Sequence, residues 1–233
     1  MIVVGHQPQY IPYLGFFNKV SKADIFVFVD NVQFNRKSWQ QRTLIKYNSK
    51  PLYLTIPVKK KGKRAQKINE VEIIDGVWSK KHWKSICLAY SKTPYFEAYR
   101  KGLEEIYGRH WDKLADFTIV LTNHLMDVIG IKHKVRYLGS GLGISGEKTN
   151  LLVDICKKTS CDTYLSGEGA KAYLDESQFQ QNCLKHIFND FRPAQYHQQG
   201  NGFLGGMGII DVLFMSGPDT LNIIKECRIH ERE

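Results

Sequence analysis

The 233-residue chain has no run of about 18 consecutive apolar residues, so no membrane span is expected. Its first apolar stretch, Ile2–Val4, is only three residues long and runs into His6. That is too short for the core of a signal peptide, and the expected location is the cytoplasm. Cysteine is scarce. Cys87, Cys156, Cys161, Cys183 and Cys227 are too few and too scattered for a disulfide scaffold. None forms a C-x-x-C pair, and Cys156 and Cys161 have no histidine at zinc spacing, so no metal site is expected. No Ser/His/Asp order, H-E-x-x-H motif or carboxylate pair stands out. Repeats, low-complexity tracts and Pro- or Ser-rich linkers are also missing. The chain therefore reads as one α/β domain over 1–233, with a helical insertion at about 78–130.

Basic charge is plentiful. The 33 Lys and Arg against 23 Asp and Glu give a formal charge of +10, which favours an anionic partner. Part of the excess lies in "KKKGKR" (59–64) together with Lys67. This run reads either as a solvated loop or as a clamp over phosphates.

Periodicity gives the elements. Ile2–Val4 reads as a strand, and Tyr13–Ser21 as a helix with Leu14, Phe17 and Val20 on its apolar face. "ADIFVFVD" (23–30) is a continuous apolar run, as expected for a strand buried on both faces. "RTLIKY" and "LYLTIPV" flank "NSKP" and predict a β-hairpin. The region from Trp78 to about Gly130 is helical in pattern, with Pro94 separating its first two helices. "KVRYLGS" (134–140), "CDTYLSG" (161–167) and Leu184–Phe188 read as strands, and Thr149–Lys158 as a helix. The tail from Ile209 to about Cys227 is helical, interrupted near "SGPD". Strand–helix–strand at both ends of the chain predicts a mainly parallel, Rossmann-like sheet with an inserted hairpin and a helical block.

In such sheets ligands sit beyond the carboxyl ends of the strands. The polar stretches there are His6–Tyr13, Asp30–Arg42, Ser140–Thr149 and Ser166–Lys171. In the first, "GHQPQYIPYLGFF" (5–17), two prolines stiffen a loop that carries a titratable ring, carboxamides and phenols. His6 is a candidate general base, with Gln7 and Tyr10 orienting the attacking group. A lone histidine at a strand end also serves as hydrogen-bonded architecture. His82, His110, His124, His133, His186, His197 and His230 sit singly and read as structural or exposed. In "DNVQFNRKSWQQRTLIK" (30–46), Asp30, Gln33 and Arg42 can bind polar groups or anions, while Phe34 and Trp39 offer rings for stacking. Gly141, Gly143 and Gly146 match G-x-G-x-x-G, but no acidic residue closes the next strand and the lysine spacing is wrong for a P-loop. A more general anion seat, with Lys148 supplying charge, remains open beside a plain glycine-rich connector.

"HQPQYIPYLGFFNKVSKADIFVFVDNVQF…R", with "LTIPV", "YLSG…AYLD" and "IIDVLF…GP", resembles the WbqC-like family from Met1 to about Pro218. The resemblance implies transfer of glycine or a similar small acyl group to a nucleotide-linked amino sugar, in the assembly of O-antigen and other surface polysaccharides. It maps polar site positions onto His6, Gln7, Tyr10, Asp30, Gln33, Arg42, Ser166, Gly167 and Asp211. The expected partner is thus a nucleotide-linked sugar. The cofactor is left unassigned. An adenylate or thioester precedes an aminoacyl-tRNA as acyl donor, because no RNA-binding signature is visible. The alternatives are a degenerate nucleotidyltransferase and a non-catalytic nucleotide-sugar-binding protein.

Overall fold

The structure is a computed structural model that describes residues 1–63, 65–132 and 135–227. His133 and His230, Arg64 of the basic run and Lys134 at the start of a predicted strand lie outside the described residues.

Five strands form one parallel sheet: β1 (Ile2–His6), β2 (Ile25–Phe28), β5 (Val135–Leu138), β6 (Thr163–Ser166) and β7 (Lys185–Phe188), in the order β5-β2-β1-β6-β7. Alternation along β1 and β2 explains their continuous apolar runs. Val3, Ile25 and Val27 pack on one face with helix α6 (Lys148–Thr159). Val4, Phe26 and Phe28 pack on the other with helix α1 (Leu14–Ser21). Burial on both faces leaves no room for a polar position in such strands.

The chain runs β1–α1–β2 and then leaves the sheet. It forms the antiparallel hairpin β3 (Arg42–Tyr47) and β4 (Lys50–Thr55), closed by Asn48 and Ser49, both at positive φ. This is the two-residue turn that suits strand twist. Helices α2 (Trp78–Tyr90), α3 (Phe96–Gly108) and α4 (Leu114–Ile129) follow, and Gly130 ends α4 at φ 87°. The chain returns as β5 beside β2. Helix α6 then carries it to β6, on the opposite side of β1. The order of strands therefore reverses between β1 and β6, which opens a crevice at their carboxyl ends. Helix α7 (Glu176–Gln181) leads to β7; α8 (Ile210–Ser216) and α9 (Thr220–Glu226) follow, with α9 packed against α1.

β2, β5 and β6 are each shorter than the stretches 23–30, 134–140 and 161–167 suggested. β5 stops at Leu138, and Gly139–Leu142 forms a helical turn, α5, ended by Gly143 at φ 64°. The Asp30 carboxylate sets this end, accepting from both the backbone N and the hydroxyl of Ser140. Gly139 fits closely there: a Cβ would stand 2.6 Å from Ile144 Cδ1, so the Ile144 side chain would have to shift.

Candidate functional site

The reversal between β1 and β6 creates a two-chambered cleft. The larger chamber, about 330 Å³, is lined by His6, Gln7, Lys19, Tyr164, Ser166 and Gly167, with Leu152 and Ile155 of α6 beneath. The smaller, about 230 Å³, is walled by Tyr13, Glu168 and Phe191. His6, Lys19 and Gly167 line both chambers and so mark their junction. Gly5 lets β1 and β6 close up behind them, since a Cβ would meet the Tyr164 hydroxyl at 2.8 Å.

His6 has a defined tautomer. Its Nδ1–H donates to the Gln7 carbonyl at 2.9 Å, because a carbonyl can only accept. The Nε2 lone pair is then left over. The ring packs edge-on against Phe16, with centroids 4.6 Å apart. Burial, reinforced by the charge of Lys19, holds its pKa down to about 3, so His6 is neutral at physiological pH. Gln7 is fixed in turn, its Oε1 accepting from Gln40 Nε2 at 2.7 Å.

Lys19 was not singled out in the sequence. In "FFNKVSK" it reads as one more solvated helix lysine. Yet α1 is buried from Leu14 through Val20, and Lys19 is only 8 % exposed. The available signal was a lysine three residues beyond Phe16, at the edge of the apolar face formed by Leu14, Phe16, Phe17 and Val20. Burial lowers its pKa to about 8.

Other predicted residues lie elsewhere. Tyr10 is buried, and its hydroxyl hydrogen-bonds Tyr107 Oη at 2.8 Å and His82 Nδ1 at 2.9 Å. Its ring therefore pins the loop to the helical block instead of facing the cleft. Phe34 is 4 % exposed and belongs to the core, which leaves no face for stacking. Asp30 ties β2 to the turn after β5. Asp211 is 1 % exposed. It accepts from the Tyr90 and Tyr196 hydroxyls, each at 2.8 Å, and from Gln198 Nε2 at 2.9 Å, while burial raises its pKa. Gln33 is exposed and bridges the backbone of Lys67. Lys148 is exposed at the start of α6, beside a glycine turn whose Ser145 N is already taken by Asp154. Arg42 stands on β3 among aromatic rings, its Cζ 5.5 Å from the Trp39 centroid and 5.0 Å from that of Tyr53. Trp39 also rims an apolar pocket of about 190 Å³, and Tyr13 separates this pocket from the smaller chamber.

The structure thus brings His6, Gln7, Ser166 and Gly167 into one cleft. Within the basic run, Lys59 and Lys63 pair with Glu72 at 2.7 and 2.9 Å. Among the described residues there is no cluster of metal-ligating side chains, and no helix is long and apolar enough to cross a membrane.

Comparison with known proteins adds three findings. A family model described as "WbqC-like protein family" matches residues 7–223. An uncharacterized protein of Mycobacterium tuberculosis, Rv1507c, is 29% identical over 225 residues, which cover 95% of this chain and 96% of that protein. No solved structure matches the chain.

Proposed function

The chain belongs to the WbqC-like protein family, and on that premise we propose that it transfers glycine or another small acyl group to the amino group of a nucleotide-linked sugar used in O-antigen or other surface polysaccharide synthesis. The observation that carries this reading is His6. It offers a neutral imidazole with a free Nε2 at the junction of a two-chambered cleft, where an acceptor amine and an acyl donor can meet.

The chemistry balances with an activated donor, an adenylate or a thioester. The amine nitrogen attacks the acyl carbon, a C–N bond forms, and the bond to the AMP or thiol leaving group breaks. The proton shed by nitrogen goes to His6 Nε2 and from there to solvent. A ring with so low a proton affinity does not deprotonate a resting ammonium ion. It orients the neutral amine and accepts its proton only once bond formation has made that proton acidic. Arg42 with Trp39 and Tyr53, and the apolar pocket beside Tyr13, form an aromatic shelf on the approach to the smaller chamber, suited to the face of a sugar ring.

The test incubates the protein with ATP, glycine and a nucleotide-linked amino sugar, then measures AMP release and the mass of the sugar. An acylated sugar formed with AMP is the expected result. Pyrophosphate exchange without sugar product would replace this reading with a nucleotidyltransferase. Tight binding of the sugar nucleotide, with neither reaction for adenylate or thioester donors, would replace it with a binding protein.

A further inference from the structure

Lys19 has no part in the reading above. It is 8 % exposed, and among the described residues no hydrogen bond or ion pair engages its ammonium. Glu168 is the acid that lines the same space, and its Oε1 is taken by Lys171 at 2.7 Å. A mostly buried cation without a counter-charge is poorly solvated even where its ammonium reaches the water of the cleft, and an anion from outside relieves it. Two neighbours leave a place for one. The Ser166 hydroxyl, on a residue 2 % exposed, has no hydrogen-bond partner among the described residues. Gly167 has no side chain to fill the gap, and a Cβ built on it would lie 3.8 Å from Lys19 Nζ.

We propose that the cleft carries an anion seat at the junction of its chambers, in which Lys19 Nζ, with the Ser166 hydroxyl from the wall of the larger chamber, holds the diphosphate of a nucleoside diphosphate-linked ligand. This deepens the transferase reading and takes its ligand class from it. It also sets the anion apart from the glycine-rich turn of residues 139–146, where the carboxylates of Asp30 and Asp154 already take the amides of Ser140 and Ser145. An anion that borders an acid on each of those amides meets repulsion there. At the junction it meets a cation whose own partner is missing.

The experiment is calorimetric titration of the whole chain with inorganic pyrophosphate, UDP and glycine. No turnover is needed, so loss of the transfer chemistry would leave the result standing. Equally, a failed seat would leave the transfer assay unaffected as a test. Wild-type protein should bind UDP and pyrophosphate. Lys19→Met, which keeps the stem and removes the charge, should weaken both by about ten-fold or more. Because the lost charge is unpaired, that variant should melt no lower than wild type. Gly167→Val fills the gap in front of an intact Lys19 and should weaken both probes as well, which separates a blocked seat from a misfolded one. Lys148→Gln should bind as wild type. Wild-type protein that takes up neither phosphate probe at millimolar concentration overturns the proposal. So does unchanged binding in folded Lys19→Met or Gly167→Val. Binding of glycine alone would show a carboxylate seat and overturn it equally.

Discussion

The His6 ring donates from Nδ1 to the carbonyl of the residue that follows it, Gln7, at 2.9 Å. One short bond thus fixes both the ring's orientation and the nitrogen that is left to act. His6→Asn should preserve the melting temperature near neutral pH and reduce turnover by about 10²–10⁴-fold. Turnover within a few-fold of wild type would remove His6 from the chemistry.

His6 also makes a pH prediction. The native ring, held at about 3, does not take up the proton that the unfolded chain binds below its ordinary value of 6.5. Its contribution is fully present above 6.5 and is lost progressively as the pH falls toward about 3. Melting temperatures measured at about pH 7 and about pH 4 should differ less in His6→Asn than in wild type. An equal difference would show that the ring is hydrated.

Lys19 acts with the opposite ligand sign. Its pKa of about 8 means that the empty cleft is partly uncharged there, while a bound anion favours the ammonium. UDP, its phosphates already ionised, should bind with net proton uptake near pH 8, and its affinity should fall as the pH rises further. His6, Tyr13, Tyr164, Tyr173 and Glu168 share the cavities with Lys19. Comparison with Lys19→Met therefore isolates its part. The check is the binding enthalpy in two buffers of different ionisation heat, and a buffer-independent value counts against the assignment.

Asp211 should behave as architecture. It accepts from Tyr90, Tyr196 and Gln198, and Asp211→Asn presents a donor where acceptors are needed. Denaturant unfolding should show a loss of about 1–3 kcal/mol, with UDP affinity unchanged in the folded fraction. Weaker binding without lost stability would return Asp211 to the site.

Asp30→Ala should free both groups of Ser140 from their partner. Hydrogen exchange at the Ser140 amide should then accelerate, while exchange in β1 and β6 stays slow. Uniform acceleration would mean that Asp30 supports the whole sheet.

The parallel sheet, the hairpin and the Pro94 break were legible because each is a local pattern: apolar runs, two strand-like stretches around a short polar link, a residue that cannot continue a helix. The link spans "NSKP" in the sequence pattern, whereas the turn itself is Asn48–Ser49 and β4 begins at Lys50. The strand ends at His6 and Ser166 were legible too, since polarity there interrupts strands that are otherwise apolar. What escaped depends on distant partners. Tyr10 and Asp211 look like polar site residues until Tyr107 and Tyr90, about a hundred residues away or more, take up their polar atoms. Lys19 looks solvated until β6 and the turn after it close over α1. Periodicity marks the buried face of a helix, and it does not say which charged neighbour of that face the next layer will cover.

The pairing of β1 with β6 joins Ile2 to Thr163 and Val3 to Tyr164. During synthesis β1 and β2 emerge early, separated by a single short helix. The strand that completes the cleft is made about 160 residues after the first, so His6 and Lys19 wait through most of translation with one wall missing. The cleft is therefore a late product of biogenesis. A nascent chain halted before Ser166 has the loop and the lysine but lacks the β6 wall that makes them one cleft.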